Sequence, residues 1–457
     1  MLAVSPTLTL IIKKTLPLSL GLFAVMLVQL VDSVFISRLG LNELSVHGIT
    51  LPFQAGLIGL QVGIGVAATS IISRAAGAKQ HAQAGVTASL AFIFGLLFIA
   101  LICLLLIVFT NSIFASFVER GPDEAQFELL LAIFADYWPV WLLSASTGAA
   151  LYLATCVYRA NGDTKTTGAM FVLASVINLL LDPLLIFTLD MGIQGAAIAS
   201  TLGYGVSTLV MLLKANNKNW FHAIRFKPET LKYFTALINM AIPTTANQLL
   251  PSAGAFVGMM LIARMGTEEI AFWSLLARIE SFLLVFTLAL TMSVPPMIGR
   301  YLGKAQPEKI AQVVSATAKF VLVYHLLVAV ILALASQQLI PTLSQDMGIQ
   351  LWLSSALWII PFSYGTLGLC MVVASIFNAL GLAKIALLVS LARLFVLYIP
   401  ALLIGILSGS VLHVVIAATA ANFLAGGFAW YKLSTYIKSN LSGNTIVNQR
   451  QVRLLPS

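Results

Sequence analysis

The sequence predicts an all-α integral membrane protein with twelve transmembrane helices in two homologous six-helix bundles. The 457-residue chain is 60% hydrophobic and only 9% charged, whereas soluble domains carry about 25% charged residues. It contains twelve continuous apolar stretches, each long enough to cross a bilayer, which takes about 20 residues. A shift of 226 positions also overlays part of the chain on itself without a gap, which indicates an ancient duplication.

The apolar stretches divide equally between the two copies. Continuous runs of this length exclude an outer-membrane β-barrel, whose strands are short and alternate in polarity. We expect an N-terminal lobe at 1–213, a cytoplasmic linker at 214–232, a C-terminal lobe at 233–438 and an unstructured polar tail at 439–457. The predicted spans are 10–36, 44–73, 84–109, 126–159, 164–188, 193–214, 233–263, 269–299, 311–335, 348–379, 383–407 and 410–436.

Seven identities in one register carry the repeat. They span more than sixty residues in each copy, and chance would scatter them. The pairs are Pro17 with Pro243, Arg38 with Arg264, Gly40 with Gly266, Glu43 with Glu269, Arg74 with Arg300, Gly77 with Gly303 and Gln80 with Gln306.

The basic residues predict the orientation of the chain. Most Lys and Arg fall in the loops and tails on the side of both termini, and only Arg38, Arg120 and Arg264 fall on the opposite side. Because cytoplasmic loops carry the excess of Lys and Arg, both termini are expected in the cytoplasm, with the chain passing repeatedly through the inner membrane. The net charge of +9 is thus a topology signal, and no nucleic-acid partner is expected. The aromatic and basic linker suits a short amphipathic helix on anionic lipid.

Acidic side chains inside predicted spans are the strongest functional candidates, because an ionised carboxylate in the bilayer costs several kcal/mol. Asp32 lies in span 1, Asp182 in span 5 and Glu280 in span 8. Asn178 precedes Asp182 by four residues, which places both on one helix face. If Asp32 faces the same cavity, the two carboxyls titrate as a coupled pair. A structural hydrogen-bond pair that never changes protonation is the alternative.

Two further features of the spans allow more than one interpretation. Pro17 removes a hydrogen bond from span 1 and weakens the helix where bending would be useful, although prolines are frequent in membrane helices. Glu280 lies near Arg278 and aligns with Gln54 of the first copy. A static polar contact there is at least as consistent with the sequence as ion coupling.

No motif of an enzyme occurs in the chain. We find no Walker A sequence, no HExxH and no GxSxG, so hydrolysis and ATP-driven pumping are not expected. Cys103, Cys156 and Cys370 are far apart and lack the spacing of metal ligands. We therefore expect no bound cofactor, and we expect the chain to act as a monomer.

Several segments, in order, resemble the multidrug and toxic compound extrusion (MATE) transporters. They are Pro17 with LVDSVFISRLG at 30–40, YRANGDTK at 158–165, NLLLDP at 178–183 and GAAIAS at 195–200. Together with the twelve-span, two-copy layout, the resemblance covers about residues 8–436. It implies two six-helix lobes facing across a central cleft. It also implies export of cationic or amphipathic compounds, coupled to inward flow of protons or sodium.

Within that family the chain looks closest to the DinF-type branch, whose coupling acids lie in the first lobe. The resemblance assigns Asp32 as the span 1 acid, Pro17 as the bending proline, Asn178 and Asp182 as the span 5 pair, and Ser200 as a span 6 hydroxyl. Further polar candidates for the cavity are Gln29, Thr201 and Glu280.

Departures from the family pattern narrow this interpretation. Val28 replaces a tyrosine that some members carry, which weakens a sodium site at Asp32, Asn178 and Asp182 and favours protons. Span 10 holds no acid between Leu351 and Asn378, which disfavours the NorM-type branch.

The sequence therefore predicts a proton-coupled multidrug exporter, with sodium as the alternative ion. A flippase for a lipid-linked precursor is the nearest rival, because the wider superfamily includes such proteins. A flippase would gather Arg or Lys inside the spans to bind pyrophosphate, and only Arg278 and Arg393 fit that pattern. A non-transporting scaffold or channel subunit would leave the intramembrane acids unexplained.

Overall fold

A computed structural model describes residues 5–118, 124–225 and 227–440 of the chain. Throughout these ranges the regular secondary structure is helical, and each of the twelve predicted spans is mostly helical. The fold class predicted from the sequence is confirmed. Of the predicted polar tail, residues 441–457 lie outside the described residues.

Among the described residues, the first half of the chain contains seven α-helices. The sixth continues beyond Pro183 as a π-helical segment, Leu184–Thr188. The helices are α1 (Pro6–Leu39), α2 (Leu41–Gly77), α3 (His81–Val108), α4 (Thr110–Phe117), α5 (Glu124–Ala160), α6 (Thr164–Pro183) and α7 (Gly192–Asn217).

The second half contains more interruptions. A 3₁₀ turn, Ile360–Ser363, precedes α13, and a π-helical segment, Ala392–Tyr398, joins α14 to α15. The helices are α8 (Pro228–Ile262), α9 (Thr267–Leu283), α10 (Val285–Gly303), α11 (Pro307–Leu343), α12 (Met347–Ala356), α13 (Tyr364–Ala379), α14 (Ala383–Leu391), α15 (Ile399–Leu407) and α16 (Val411–Asn440).

Length and composition of these helices support a membrane location. Within the described ranges, ten helical segments are long and apolar enough to cross a bilayer. Helices α9 and α10, which meet at a bend of 43°, together make an eleventh candidate span. The remaining predicted span, 233–263, corresponds to α8, which has 35 residues. Its central polar run, from Thr244 to Gln248, makes it less apolar than the others.

The chain forms two compact units, and two of the boundaries between them fall inside the first helix of each repeat. The first unit comprises Pro17–Ala76 and Gln80–Thr245, and the second comprises the chain up to Leu16, Gly77–Lys79 and the chain from Ala246 onward. The boundary in α1 falls at Pro17, and the boundary in α8 falls two residues after the repeated Pro243. Each of these two helices therefore contributes to both units. The lobe limits predicted from the sequence stay a prediction.

Aromatic side chains stack along α5, and one of them joins this helix to α3. Trp138 stacks on Trp141 at 5.2 Å and on Phe134 at 5.0 Å between ring centroids. The Trp138 indole N–H donates to the Leu106 carbonyl of α3 at 3.1 Å. Because a buried indole N–H needs an acceptor, this bond sets the register of α5 against α3.

The linker differs from its prediction. Helix α7 continues to Asn217 and α8 begins at Pro228, so too few residues remain between them for the predicted surface helix. The described linker residues are not helical, and their aromatic rings pack on the first unit. The ring centroids of Phe221 and Phe92 of α3 lie 5.8 Å apart, and those of Trp220 and Tyr158 of α5 lie 4.9 Å apart. The prediction of an amphipathic linker helix is wrong.

A salt bridge ties the linker to the start of α6. The Lys218 ammonium lies 3.2 Å from the Asp163 carboxylate and 4.4 Å from the centre of the Trp220 ring. Asp163 also caps α6 by accepting a hydrogen bond from the Thr166 N–H at 3.0 Å. Burial alone would raise the pKa of Asp163, but the bonds from Thr166 and the Lys218 charge outweigh it, so this pKa is lowered.

Candidate functional site

Four side chains that the sequence singled out meet inside the first unit. Asp32 comes from α1, Asn178 and Asp182 come from α6, and Ser200 comes from α7. The Asn178 amide nitrogen lies 3.1 Å from Asp32 Oδ1 and 3.2 Å from Asp182 Oδ2, while its amide oxygen lies 3.0 Å from Ser200 Oγ. The amide therefore joins the two carboxyls to α7.

Hydrogen-bond chemistry fixes the orientation of the Asn178 amide. A carboxylate only accepts hydrogen bonds, so the side of the amide that faces Asp32 and Asp182 must be the N–H donor. The amide oxygen then accepts from the hydroxyl of Ser200 and from its backbone N–H, at 3.0 and 3.3 Å. Both ends of the amide are satisfied in this orientation, as a buried amide requires.

The cluster is largely removed from solvent. Asp182 is fully buried and Asn178 is 4% exposed, whereas Asp32 and Ser200 are half-buried. The Asp32 and Asp182 carboxyls lie within hydrogen-bond reach of each other. Such a bond requires that one carboxyl is protonated, because a carboxylate pair contains no donor. The arrangement can therefore hold one proton between two acids.

The backbone of α6 changes its geometry directly after the site. Spacing of four residues brings Asn178 and Asp182 onto one face of α6. Pro183 then follows, and because it has no N–H it cannot continue the hydrogen-bond ladder. A π-helical segment occupies the next turn, Leu184–Thr188. Short π segments inside helices occur frequently at functional sites.

A close helix contact joins α6 to α1 at Pro17. A Cβ added at Gly168 of α6 would lie 2.0 Å from the Pro17 carbonyl oxygen, and one added at Gly21 of α1 would lie 2.9 Å from the Gly168 carbonyl oxygen. Only glycine permits this approach. The proline of α1 is therefore in direct contact with the helix that carries Asn178 and Asp182.

Sequence reasoning missed two tyrosines and a histidine near the carboxyls. Tyr137 of α5 and Tyr204 of α7 lie within the electrostatic field of Asp32. His47 Nδ1 of α2 lies 3.2 Å from the Tyr137 hydroxyl, and Tyr137 is 2% exposed. No spacing in the sequence connects these residues, because they come from three helices that only the fold brings together.

Three other predicted polar candidates lie outside this cluster. The Thr201 hydroxyl donates to the Ala197 carbonyl of its own helix at 2.8 Å. Gln29 is exposed. Glu280, on α9, belongs to the second unit.

Comparison with known proteins identifies related chains over nearly the whole length. The MatE family model matches residues 17–184 and 243–404, which are corresponding parts of the two repeats. A crystal structure of a mutant of the Vibrio cholerae MATE transporter VcmN is 37% identical, with a TM-score of 0.91, covering 95% of this chain and 98% of that one. A Pyrococcus furiosus transporter of the MOP superfamily, 22% identical with a TM-score of 0.86 and covering 95% and 97%, shares the fold.

Two curated relatives are named for the transport of different compounds. A FAD transporter of Shewanella oneidensis is 28% identical over 92% of this chain and 93% of its own length. The multidrug export protein MepA of Staphylococcus aureus is 25% identical over 64% of each chain. All these relatives are transporters, and none is an enzyme.

Proposed function

Since this chain belongs to the MatE family of membrane transporters, we propose that it is a secondary active multidrug exporter that antiports cationic or amphipathic compounds against protons. Relatives that export drugs support the direction of transport. We further propose that the protein works as a monomer in the inner membrane with both termini in the cytoplasm, which the distribution of Lys and Arg favours.

The observation that carries this proposal is the amide of Asn178 between the carboxyls of Asp32 and Asp182. When both carboxyls are ionised, they attract a cationic substrate and the amide donates to both. When a proton enters, one carboxyl becomes a donor and the other remains the acceptor. The hydrogen bonds then rearrange and the attraction for a cation falls, so proton uptake and substrate release are linked.

Pro17 provides a site for the conformational response. The unit boundary in α1 lies at this residue, and proline weakens the helix there. Because α6 bonds α1 through Asn178 and Asp32 and contacts the Pro17 carbonyl through Gly168, a rearrangement at Asn178 is passed to α1. A membrane potential adds about 2.3 kcal/mol per charge per 100 mV, which is sufficient to bias such a bend.

Protons fit this site better than sodium. A sodium ion bound by both carboxylates would occupy the space between them, and in this cluster the Asn178 N–H group points there. Sodium binding would require the amide to turn, which would leave the Ser200 backbone N–H without its acceptor. A proton rearranges the bonds of the carboxyls without turning the amide.

Gradient-driven efflux tests the proposal. The full chain would be reconstituted into vesicles loaded with a fluorescent cationic dye, and a proton gradient or a sodium gradient would be imposed separately. We expect efflux under the proton gradient, no added efflux under sodium, and loss of proton-driven efflux in Asp32→Asn. Equal efflux by Asp32→Asn and the parent protein would refute the scheme.

A second candidate substrate class is an amphipathic compound that carries phosphate, as a flavin nucleotide or a lipid-linked precursor does. The relative named as a FAD transporter matches more of this chain than the drug exporter does. Arg393, inside the helical region of span 11, offers a cation to such a group. Transport of a flavin nucleotide, measured beside the cationic dye, separates the two classes.

A further inference from the structure

The second unit contains a polar cluster that the proton mechanism does not use. Glu280 lies near the end of α9, Tyr364 begins α13, and Arg393 and Tyr398 lie in the π-helical segment between α14 and α15. These elements come from three separate spans. Glu280 and Arg393 therefore place opposite charges on two different spans of one unit.

Packing of the neighbouring residues brings these elements together. Ile279, Tyr364, Tyr398 and Leu402 belong to one hydrophobic cluster, so the end of α9, the start of α13 and the π segment share a core. The Glu280 carboxyl lies close to the Tyr364 hydroxyl and within the electrostatic field of Arg393. Glu280 and Arg393 are both half-buried and accessible from outside the core.

The two charges of the cluster are near each other but not directly paired. In the part of the chain that the structure describes, Glu280 and Arg393 attract each other without forming a direct ion pair. Arg393 thus keeps its planar set of N–H donors available, a geometry that matches carboxylate and phosphate oxygens.

The Tyr364 hydroxyl also has free hydrogen-bonding capacity. Tyr364 is 1% exposed, and among the described residues its hydroxyl has no partner in hydrogen-bond geometry. An unsatisfied buried hydroxyl costs about 1–3 kcal/mol, so native structures rarely leave one without a reason. The Glu280 carboxyl lies beside this hydroxyl, so a small movement of either side chain would satisfy it.

The backbone around the cluster is irregular on two sides. The 3₁₀ turn Ile360–Ser363 precedes Tyr364, and the π segment holds Arg393. Non-helical or distorted backbone inside a membrane helix is typical of places where transporters bind substrates and ions.

The second unit has no acid at the position that corresponds to Asp32 in the repeat. Gly258 of α8 aligns with Asp32, and a Cβ at Gly258 would lie 3.4 Å from Leu402 Cδ1 and 4.0 Å from Tyr398 Cε1. An acid there would meet apolar and aromatic groups. The second unit instead carries its charges on α9 and on the π segment.

We infer that this cluster is a second substrate subsite, in which the Arg393 guanidinium binds an oxyanion group, a carboxylate or a phosphate, of an amphipathic substrate. This inference rests on the proposed transport function and defines the substrate class further. Glu280 is the internal anion that competes with the substrate for Arg393.

Riboflavin and flavin mononucleotide are a matched pair of probes, because they differ by one phosphate and both fluoresce. Binding to the purified full chain in detergent would be measured by fluorescence titration, without any ion gradient. The parent is expected to bind the phosphorylated flavin about 10- to 100-fold more tightly, the range for a hydrogen-bonded charge pair. Arg393→Gln should remove this preference, and Arg393→Lys should keep only part of it. The matched control is Lys384→Gln, which removes the same charge from an exposed position on α14 and should keep the preference.

Glu280→Gln provides an independent arm that does not require the arginine variant to fold. Removal of the competing anion should tighten binding of flavin mononucleotide by several-fold and leave riboflavin unchanged. Equal binding of the two flavins by the parent, or a preference that survives Arg393→Gln, overturns the inference. So does unchanged or weaker binding of flavin mononucleotide by Glu280→Gln.

Two further arms distinguish the substrate subsite from a lipid-binding site and from the proton site of the first unit. If an anionic phospholipid displaces flavin mononucleotide from the parent but not from Arg393→Gln, the subsite holds a lipid headgroup and the substrate assignment fails. Asp32→Asn should lose proton-driven dye efflux but keep the preference for the phosphorylated flavin. Failure of the proton mechanism would therefore appear in efflux, and failure of the subsite would appear in binding.

Discussion

The contact between Gly168 and Pro17 gives a prediction whose size follows from the structure. In Gly168→Ala the new Cβ would lie 2.0 Å from the Pro17 carbonyl oxygen and 2.5 Å from the carbonyl carbon. Ordinary contact begins near 3.4 Å, so α1 and α6 must separate by about 1.4 Å (3.4 − 2.0). Both partners are backbone atoms that no rotamer change can move. The expected cost is at least that of overpacking, about 1–3 kcal/mol.

Thermal unfolding of the purified protein measures this effect. Gly168→Ala should lower the unfolding midpoint and also reduce dye efflux, because the shift falls at the proposed bend in α1. The matched control is Gly205→Ala on α7, where an added Cβ meets nothing within 4 Å. Alanine favours a helix by about 1 kcal/mol over glycine, so the control should be unchanged or slightly more stable. A Gly168→Ala protein as stable as Gly205→Ala would refute the close contact.

Three further outcomes are expected. Asp163→Ala should destabilise the protein by about 1 kcal/mol through loss of the α6 cap, measured by denaturation. Asp163→Asn should keep the bond from the Thr166 N–H and lose the bonds that Asp163 Oδ2 accepts from Lys218 and from the Thr166 hydroxyl. Because the pKa of Asp163 is lowered in the folded state, the stabilisation by its carboxylate is fully present above the ordinary pKa of 3.8. This stabilisation should disappear as the pH falls through the folded-state pKa of Asp163. The difference in unfolding free energy between the parent and Asp163→Asn should then disappear as well. Asn178→Leu should abolish proton-driven efflux, since it removes the donor between the carboxyls, and efflux equal to the parent would contradict this role. Thr244→Val should cost roughly 1 kcal/mol in a denaturation assay, because the Thr244 hydroxyl donates to the Gly63 carbonyl at 2.8 Å; no change would show that this bond contributes nothing.

The sequence was sufficient to predict the helices and most of the acidic cluster. Continuous apolar runs require helices in a bilayer, because the backbone must satisfy its own hydrogen bonds there. The cost of an intramembrane carboxylate singled out Asp32 and Asp182, and the spacing of four residues added Asn178. Ser200 came from the family resemblance alone, and the structure places its hydroxyl against the Asn178 amide.

Other features depend on contacts between distant segments and could not be predicted from local patterns. The compact units divide at Pro17 and after Thr245, although both helices continue without a break. The aromatic linker residues pack against α3 and α5, because their rings find protein surface there. Tyr364 gave no signal in the sequence, since an unpaired hydroxyl is defined only by its surroundings.

Proton-driven efflux in matched acid variants is the decisive measurement for the coupling role of the two carboxyls. Asp32→Asn and Asp182→Asn would be compared with Asp136→Asn, which changes an exposed acid of the same unit. Dye exchange without a gradient would be measured in parallel, to show that each variant still binds and moves the dye. We expect Asp32→Asn and Asp182→Asn to lose acceleration by a proton gradient but keep gradient-free exchange, while Asp136→Asn behaves as the parent. Full acceleration in either cluster variant would contradict proton coupling through this pair.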